Sequence, residues 1–169
     1  MKKVYFAGKF KKLQNKGISL EESLKDDYRA KILGGSQYLV NYSPNLKINN
    51  RIIYAGPFYC EKASNGDYTS TDCTTVVNAE FMSVSESDVC VFVFNQSFSA
   101  GTIVELGWAI EQNKEIIIFY KQEASEYQIK SEYWFAISDA LQRGRNVKVF
   151  DFMEDEEAIS EILKIVKEL

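Results

Sequence analysis

Short apolar runs alternate along this chain with longer segments in which apolar residues recur at helical spacing. The runs are rich in β-branched and aromatic residues and are too short for helices, so they predict β-strands. Five of them stand out: residues 3–8, 51–58, 89–94, 116–119 and 147–150. A weaker run at residues 38–40 predicts one more short strand.

Helices are predicted in the segments between the strands. From residue 21 to residue 33 apolar residues recur every four positions, as on one face of a helix, and two glycines then end the segment. The other predicted helices span residues 74–86, 102–113, 130–142 and 154–169. This alternation indicates an α/β fold in which about five parallel strands are covered by helices on both faces.

The loops that follow the strands are the predicted place of ligand binding. In open parallel sheets, ligands bind beyond the carboxyl ends of the strands, and three such loops follow the runs at residues 3–8, 51–58 and 89–94. Residues 60–73 form a long polar segment, and long loops in compact domains are often functional. We therefore expect the functional residues at this edge of the sheet.

Composition limits the chemistry that the chain can perform. Its 169 residues suffice for one domain with one core, which we assign to residues 1–169. The absence of His excludes His-based triads and most zinc sites, so acid–base work falls to Asp, Glu, Tyr, Lys or Cys. No G-x-G-x-x-G segment follows the first strand, which argues against a dinucleotide. We expect no metal and no cofactor.

Net charge, apolar runs and cysteine content limit the binding partners and the cellular compartment that we expect. The net charge of −4 argues against a nucleic acid polymer but not against a single nucleotide, which needs only a few donors. No apolar run approaches the length that spans a membrane, so no membrane partner is expected. Three cysteines without a signal peptide predict reduced thiols in a cytoplasmic protein.

The most informative segment follows the most apolar strand and opens a helix. It contains small residues, including Gly101, that let backbone amides approach a ligand, and the helix N-terminus favours negative charge. The hydroxyls of Ser97, Ser99 and Thr102 add hydrogen-bond donors. An anionic group such as a 5′-phosphate is therefore expected to bind here.

Glu105 is predicted to lie in the first turn of the same helix. The helix dipole would keep its carboxylate ionised, and an ionised carboxylate can attack the anomeric carbon of a sugar. The spacing between Thr102 and Glu105 equally fits a capping box, in which the Glu side chain returns to the backbone at the helix start. Spacing alone leaves both interpretations open.

Three short motifs follow one another along the chain: Tyr5-Phe6-Ala7-Gly8, then Asn78 and Glu80 before Ser87-Asp88, then Gly101-Thr102 with Glu105-Leu106-Gly107-Trp108-Ala109. Together and in this order they resemble the nucleoside 2-deoxyribosyltransferase family, with the related deoxynucleoside 5′-monophosphate N-hydrolases. The resemblance implies a three-layer, flavodoxin-like (Rossmann-like) fold. It also implies that residues 1–169 form one nucleoside 2-deoxyribosyltransferase-like domain.

The resemblance further implies a reaction and an assembly. The family breaks the N-glycosidic bond of a nucleoside or nucleotide through a covalent glycosyl intermediate, which a second base or water resolves. On that pattern Glu105 is the nucleophile, Tyr5 orients its carboxylate and Glu80 handles protonation of the base. Relatives complete their pockets with residues of a neighbouring subunit, so we expect a homodimer or larger homo-oligomer. The helix at residues 130–142 could supply its interface.

Two positions depart from the family pattern. The family's acid is an Asp, where this chain has Glu80. The transferases carry an Asp six residues before the nucleophile, where it holds the sugar 5′-hydroxyl, and this chain has Ser99 there. Ser at that place is similar to the N-hydrolases, whose Ser contacts the phosphate. Because Asp would repel a phosphate and Ser would donate to it, Ser99 favours a nucleotide substrate.

A further set of substrate-binding candidates comes from the loops and from the resemblance: Gly8, Lys9, Phe10, Phe58, Asn78 and Asp88. Lys9 could contact an anion. Phe10 and Phe58 could stack on a base, and core packing is about as good an explanation for each. Asp88 could form a turn or support the floor of the site.

Two other functions stay open at this point. The chain could be a nucleotide-binding sensor of the same fold without turnover, in which Glu105 only caps its helix. It could also be a phosphoribohydrolase of the lysine-decarboxylase-like group, which uses a Gly-Thr-x-x-Glu segment. That group usually carries Pro-Gly-Gly before the segment, and this chain does not.

Overall fold

The computed structural model describes residues 1–10, 17–59, 73–95, 99–122, 129 and 131–169, without the side chain of Cys73. The strands are β1 (Lys2–Ala7), β2 (Ile52–Gly56), β3 (Val89–Phe94), β4 (Glu115–Lys121) and β5 (Val147–Phe152). The helices are α1 (Leu20–Ser23), α2 (Tyr28–Leu33), α3 (Gln37–Val40), α4 (Cys73–Glu86), α5 (Ala100–Glu111), α6 (Trp134–Arg143) and α7 (Asp155–Glu168). Within these residues, no helix combines the length and the apolar character needed to cross a membrane.

The five strands form one parallel sheet in the order β2-β1-β3-β4-β5. This is the flavodoxin-like order, and the predicted fold class is confirmed. The direction of winding reverses between β1 and β3, which leaves a crevice at the carboxyl ends of these two strands. That crevice is where ligands bind in sheets of this kind.

Helices cover both faces of the sheet, because successive strand residues point to opposite sides. On one face, Tyr5, Cys90 and Phe92 pack in a core with residues of α4, α5 and α6. On the other face, Phe6 and Val91 pack in a core with residues of α2, α3 and α7. All six residues of β3 are buried, as its uninterrupted apolar run predicts.

Two local predictions are wrong. The predicted helix at residues 21–33 is two short helices, because Asp27 has an extended backbone and caps α2 by accepting a hydrogen bond from the amide of Arg29 at 3.0 Å. Residues 38–40 lie in helix α3 and not in a strand. Residues 46–48 pair antiparallel with the free edge of β2 instead, through Tyr54 N to Leu46 O at 2.7 Å.

The aromatic helix is shorter than predicted. α6 begins at Trp134, whereas the apolar pattern predicted a start at residue 130, which lies outside the described residues. The amide of Trp134 donates to the carbonyl of Ser131 at 3.1 Å, so a turn precedes the helix. The long loop predicted at residues 60–73 lies outside the described residues except for the backbone of residue 73, which belongs to α4.

Candidate active site

Two predicted site residues, 100 positions apart in sequence, meet at the covered face of β1. Tyr5 lies on β1 and Glu105 lies on α5. The Tyr5 hydroxyl donates a hydrogen bond to Glu105 Oε1 at 2.5 Å. Tyr5 is fully buried and Glu105 is 5 % exposed. The contact that the family resemblance implies is therefore present, and the catalytic roles of the two residues stay a prediction.

The helix that carries Glu105 begins earlier than predicted. Ser99 is the N-cap residue and α5 starts at Ala100, so Glu105 is the sixth residue of the helix and lies in its second turn. Thr102 lies inside the helix and not at its cap. Because the Glu105 carboxyl contacts Tyr5 and not the backbone at Thr102, the capping-box interpretation is wrong.

Burial controls the protonation of Glu105. Removal from water raises the pKa of Glu105 to about 8, with a further contribution from the negative charge of Glu80, against the hydrogen bond from Tyr5 and the positive charge of Arg29. The expectation that the helix dipole keeps Glu105 ionised is therefore wrong. The dipole acts within the first turn, and Glu105 lies beyond it.

Tyr5 stays a hydrogen-bond donor across the physiological pH range. Burial raises its pKa well above the usual value, and the negative charges of Glu105 and Glu80 raise it further. A neutral hydroxyl can only donate to a carboxylate that faces it. The Tyr5 side chain therefore fixes the direction of one carboxyl oxygen of Glu105.

Glu80 brings a second carboxyl to the same cluster. It lies on α4 and is half-buried, and burial raises its pKa against the opposing positive charge of Arg29. Its own charge raises the pKa of both Tyr5 and Glu105. Two carboxyl groups that interact in this way hold their protons as a pair, so that one can be protonated while the other is ionised.

A cleft of about 300 Å³ opens between α4 and the edge strand β2. Glu80 and Ser83 line it from α4, and Pro57 and Phe58 line it from the segment that follows β2. The Phe58 ring packs edge-on against Tyr54 with ring centroids 5.1 Å apart. Glu80 therefore connects a partly aromatic cleft to the buried Tyr5–Glu105 pair.

The hydroxyl residues at the start of α5 form a small polar group. Ser99 Oγ and Thr102 Oγ1 are hydrogen-bonded to each other at 2.6 Å, and the Ser99 side chain makes no capping bond to the backbone. Thr102 is buried, and Gly101 is exposed with open space where a Cβ would lie. Ser97 lies outside the described residues.

Two candidates lie away from the Tyr5–Glu105 pair. Asp88 precedes β3 at the amino edge of the sheet, where its Oδ2 accepts a hydrogen bond from the amide of Lys3 at 2.8 Å. Asp88 therefore lies at the opposite edge from the turn that follows β1, and its substrate-binding role stays a prediction. Asn78 is exposed on α4, and two residues of helix turn it about 200° away from Glu80.

The turn after β1 contains three further candidates. Gly8 has a φ of +150°, and a Cβ there would lie 3.0 Å from the carbonyl oxygen of Val93, so this position requires glycine. Lys9 is exposed. Phe10 is partly buried, and its ring packs edge-on against Tyr59 with centroids 5.1 Å apart. All three residues lie at the carboxyl end of β1, next to the predicted site.

Sequence reasoning missed Arg29, which the structure brings to the same turn. The side chain is fully buried and its guanidinium carbon lies 3.6 Å from the centroid of the Phe10 ring. Its position beside Tyr28, in a predicted helix with an apolar face, was the one feature of the sequence that could have indicated its burial. Buried arginines are rare, and so an ordinary solvent-exposed position was the natural assumption.

The described residues contain no group of three or more His, Cys, Asp or Glu side chains that could hold a metal ion. Cys90 is a free, buried thiol on β3. Burial raises its pKa to about 12, and the charge of Glu105 adds to this shift while Lys114 opposes it. A thiol with that pKa is not a nucleophile at neutral pH.

The fold and these contacts define a three-layer α/β protein with a buried tyrosine–carboxylate pair. The sequence matches no protein family and no curated protein. Among solved structures, the chain is similar to BcmB, a CMP N-glycosidase of Clostridium botulinum, with 12 % identity and a TM-score of 0.52. The similarity covers 95 % of this chain and 98 % of that one, and it concerns the fold. Membership of the nucleoside 2-deoxyribosyltransferase family stays a prediction.

Proposed function

We propose that this protein breaks the N-glycosidic bond of a nucleotide, with Glu105 as the nucleophile. The observation that carries the proposal is the buried 2.5 Å hydrogen bond from Tyr5 to Glu105, with the second carboxyl of Glu80 acting on both. This pair lies beside the crevice in which sheets of this order bind ligands. The similar structure, BcmB, is described as a CMP N-glycosidase, which agrees with this reaction class.

The first step uses both carboxyl groups. The ionised Glu105 forms a bond from one carboxylate oxygen to C1′ of the sugar while the bond between C1′ and the base nitrogen breaks. Tyr5 holds the other oxygen in place. In the reactive form of the carboxyl pair the proton lies on Glu80 and not on Glu105. Glu80 gives this proton to the base, which leaves in neutral form.

The second step restores the protein. Water attacks C1′, and the bond to Glu105 breaks with its electron pair returning to the carboxylate. Glu80, now ionised, takes the proton from the attacking water. If a second base attacks in place of water, the same steps transfer the sugar, so hydrolysis and transfer share one intermediate.

A 5′-monophosphate fits the start of α5 better than a free nucleoside does. Ser99 and Thr102 supply hydroxyl groups at a helix N-terminus, and the uncapped Ser99 side chain is not committed to the backbone. An acidic residue at position 99 would repel a phosphate, whereas Ser99 can donate a hydrogen bond to it. The partly aromatic cleft at Phe58 and Glu80 suits the base.

Comparing Glu105→Gln with Glu111→Gln tests the proposal. Both residues lie on α5, but Glu111 is exposed and pairs with Arg143, which makes it a matched control. Each variant is incubated with a panel of nucleosides and 5′-monophosphates, and released base is measured by chromatography. We expect Glu105→Gln to lose base release by several powers of ten and Glu111→Gln to retain it.

A slow 2-fluoro-substituted nucleotide analogue tests the covalent step. Mass spectrometry of the wild-type protein should show a glycosyl adduct on the peptide that contains Glu105. Normal turnover by a folded Glu105→Gln variant would overturn the proposal. Tight nucleotide binding by the wild type with no base release from any substrate would favour the sensor function, and release of ribose 5-phosphate without an adduct would favour the phosphoribohydrolase.

A further inference from the structure

All three guanidinium nitrogens of Arg29 donate hydrogen bonds within the protein. Nε and Nη2 donate to the two carboxylate oxygens of Asp27 at 2.7 and 2.8 Å. Nη1 donates to the backbone carbonyls of Phe6 at 3.3 Å and of Gly8 at 2.9 Å. Both side chains of the ion pair are almost fully buried.

Stability alone does not explain a buried ion pair of this kind. Two charges lose their hydration on burial, and apolar residues of similar volume often stabilise a fold equally well or better. A hydrocarbon side chain could not, however, donate hydrogen bonds to two backbone carbonyls. The contacts to Phe6 and Gly8 therefore point to what the Arg29 side chain does.

The carbonyls that Arg29 binds lie on both sides of the end of β1, because Phe6 is in the strand and Gly8 is in the turn that follows it. The neighbouring residue Tyr28 adds a third contact, because its hydroxyl donates to the carbonyl of Ala7 at 2.8 Å. Two consecutive side chains thus bind three consecutive carbonyls at the carboxyl end of β1. The Arg29 guanidinium also lies 3.6 Å from the centroid of the Phe10 ring, at the far end of the same turn.

We infer that Arg29 is a positioning residue of the active site: it clamps the turn after β1, and so holds Tyr5 and Phe10 and places a fixed positive charge beside the carboxyl pair. The inference rests on the proposed function for the meaning of that pair. The contacts themselves stand independently of it.

The charge of Arg29 reaches both carboxyl groups. It lowers the pKa of Glu80 and of Glu105 against the effect of burial. Titratable groups from four elements act on Glu105 or respond to its charge: Tyr5 on β1, Tyr28 and Arg29 on α2, Glu80 on α4 and Cys90 on β3. Arg29 is the cation in this set, so it favours the ionised form of Glu105 that nucleophilic attack requires.

The test removes the buried pair and titrates Glu105 directly. Asp27→Asn/Arg29→Gln removes both charges and leaves no unpaired buried ion. Asp139→Asn/Arg143→Gln removes an exposed Arg–Asp pair on α6 and is the matched control. The Glu105 carboxyl is followed by carbon-13 NMR from pH 5 to pH 10, with its signal assigned by its loss in Glu105→Gln.

We expect the Glu105 midpoint to move up in the Asp27/Arg29 variant, because the positive charge that lowers it is lost, and to stay unchanged in the control. The pH at which kcat rises should move by the same amount. A Glu105 midpoint that stays in place, even with lowered thermal stability, would show a merely structural role and overturn the inference.

The variant Arg29→Lys separates the effect of the positive charge from the effect of the hydrogen bonds to the carbonyls. It is also the alternative test if the double variant does not fold. Lys keeps the positive charge but lacks the planar fork that binds Asp27 and the two carbonyls together. We expect a Glu105 midpoint close to that of wild type and a kcat lowered at least tenfold with little change in KM. Wild-type values of both kcat and midpoint would overturn the inference.

The two proposals fail in different ways. If the wild type releases no base but the Glu105 midpoint responds to Arg29, the proposed function fails and the positioning role stands. If turnover depends on Glu105 but the Glu105 titration midpoint and kcat are unchanged in every Arg29 variant, the proposed function stands and the positioning role fails.

Discussion

Glu105 is the residue at which stability and the proposed chemistry conflict. Attack on a sugar needs an ionised carboxylate, yet burial holds the proton on Glu105 up to a pKa of about 8. Tyr5 and Arg29 partly offset burial, the first through a hydrogen bond and the second through its charge. A carboxyl kept in this environment destabilises the fold at the pH where it becomes reactive, which is common for functional groups.

The pH dependence of stability should expose this conflict. The folded pKa of Glu105 is raised from about 4.5 to about 8, so its contribution to stability is present below pH 4.5 and lost as pH rises towards 8. Glu105→Gln cannot ionise. We therefore expect its free energy of unfolding to fall less than that of wild type between pH 5 and pH 8, measured by urea unfolding.

Glu111→Gln serves as the control for that measurement, because Glu111 is exposed on the same helix. Its unfolding curve should keep the pH slope of the wild type. Parallel pH profiles for wild type and Glu105→Gln would contradict the raised pKa of Glu105, whatever the enzymatic activity turns out to be.

Helix α5 contributes more residues to the candidate site than the other elements that the structure describes. Its first turn presents Ser99 and Thr102, and its second turn presents Glu105 to Tyr5. One helix therefore connects the proposed phosphate position to Glu105, the proposed nucleophile. The distance between the two is set by helical geometry, about 1.5 Å of rise per residue, and not by a loop.

Replacing the N-cap residue of α5 should change substrate preference without breaking the helix. Asp caps helices as well as Ser does, so Ser99→Asp should leave α5 intact. Its negative charge should repel a phosphate. We expect kcat/KM for 5′-monophosphates to fall at least tenfold relative to free nucleosides, measured with the same substrate panel.

Ser19→Asp is the matched control, since Ser19 caps α1 and is exposed. It should leave the preference unchanged. An unchanged ratio in Ser99→Asp would contradict phosphate binding at α5 and leave the role of Glu105 unaffected.

The surface of the molecule retains apolar side chains that a soluble monomer would normally bury. Phe135 is 71 % exposed on α6, and Leu141 is exposed on the same helix. Phe81 on α4 is exposed and packs edge-on against Trp108 of α5, with ring centroids 5.3 Å apart. These positions agree with the expected homo-oligomer, and both the assembly and the single domain over residues 1–169 stay predictions.

Light scattering tests the assembly. We expect a homodimer or larger symmetric oligomer at micromolar concentration, because burying such apolar area is favourable. Phe135→Asp should shift the population towards monomer if α6 forms the interface. Met153→Asp, an exposed apolar position after β5, is the control. A monomeric wild type would contradict the prediction.

Much of the fold could be predicted because it depends on local pattern. The apolar run Val89–Phe94 is a strand buried on both faces, and it is recognisable without any knowledge of its neighbours. Residues 38–40 show where local pattern fails, because a short apolar run suits a strand or a helix. In the structure these residues lie in helix α3, and residues 46–48 pair with β2. Asp27 likewise divided a regular helical pattern by capping α2.

The alternation of strands and helices, and with it the fold class, follows from the amino-acid sequence alone. The ordered motifs likewise identify the candidates Tyr5, Glu80 and Glu105. Their protonation was decided by tertiary structure, because a pKa depends on burial and on charges brought close by folding. The place of Arg29 was decided in the same way. Besides Asp27, its partners are the backbone carbonyls of Phe6 and Gly8, more than twenty residues earlier in the chain. A pattern of side chains does not show which backbone carbonyls an arginine will contact after folding.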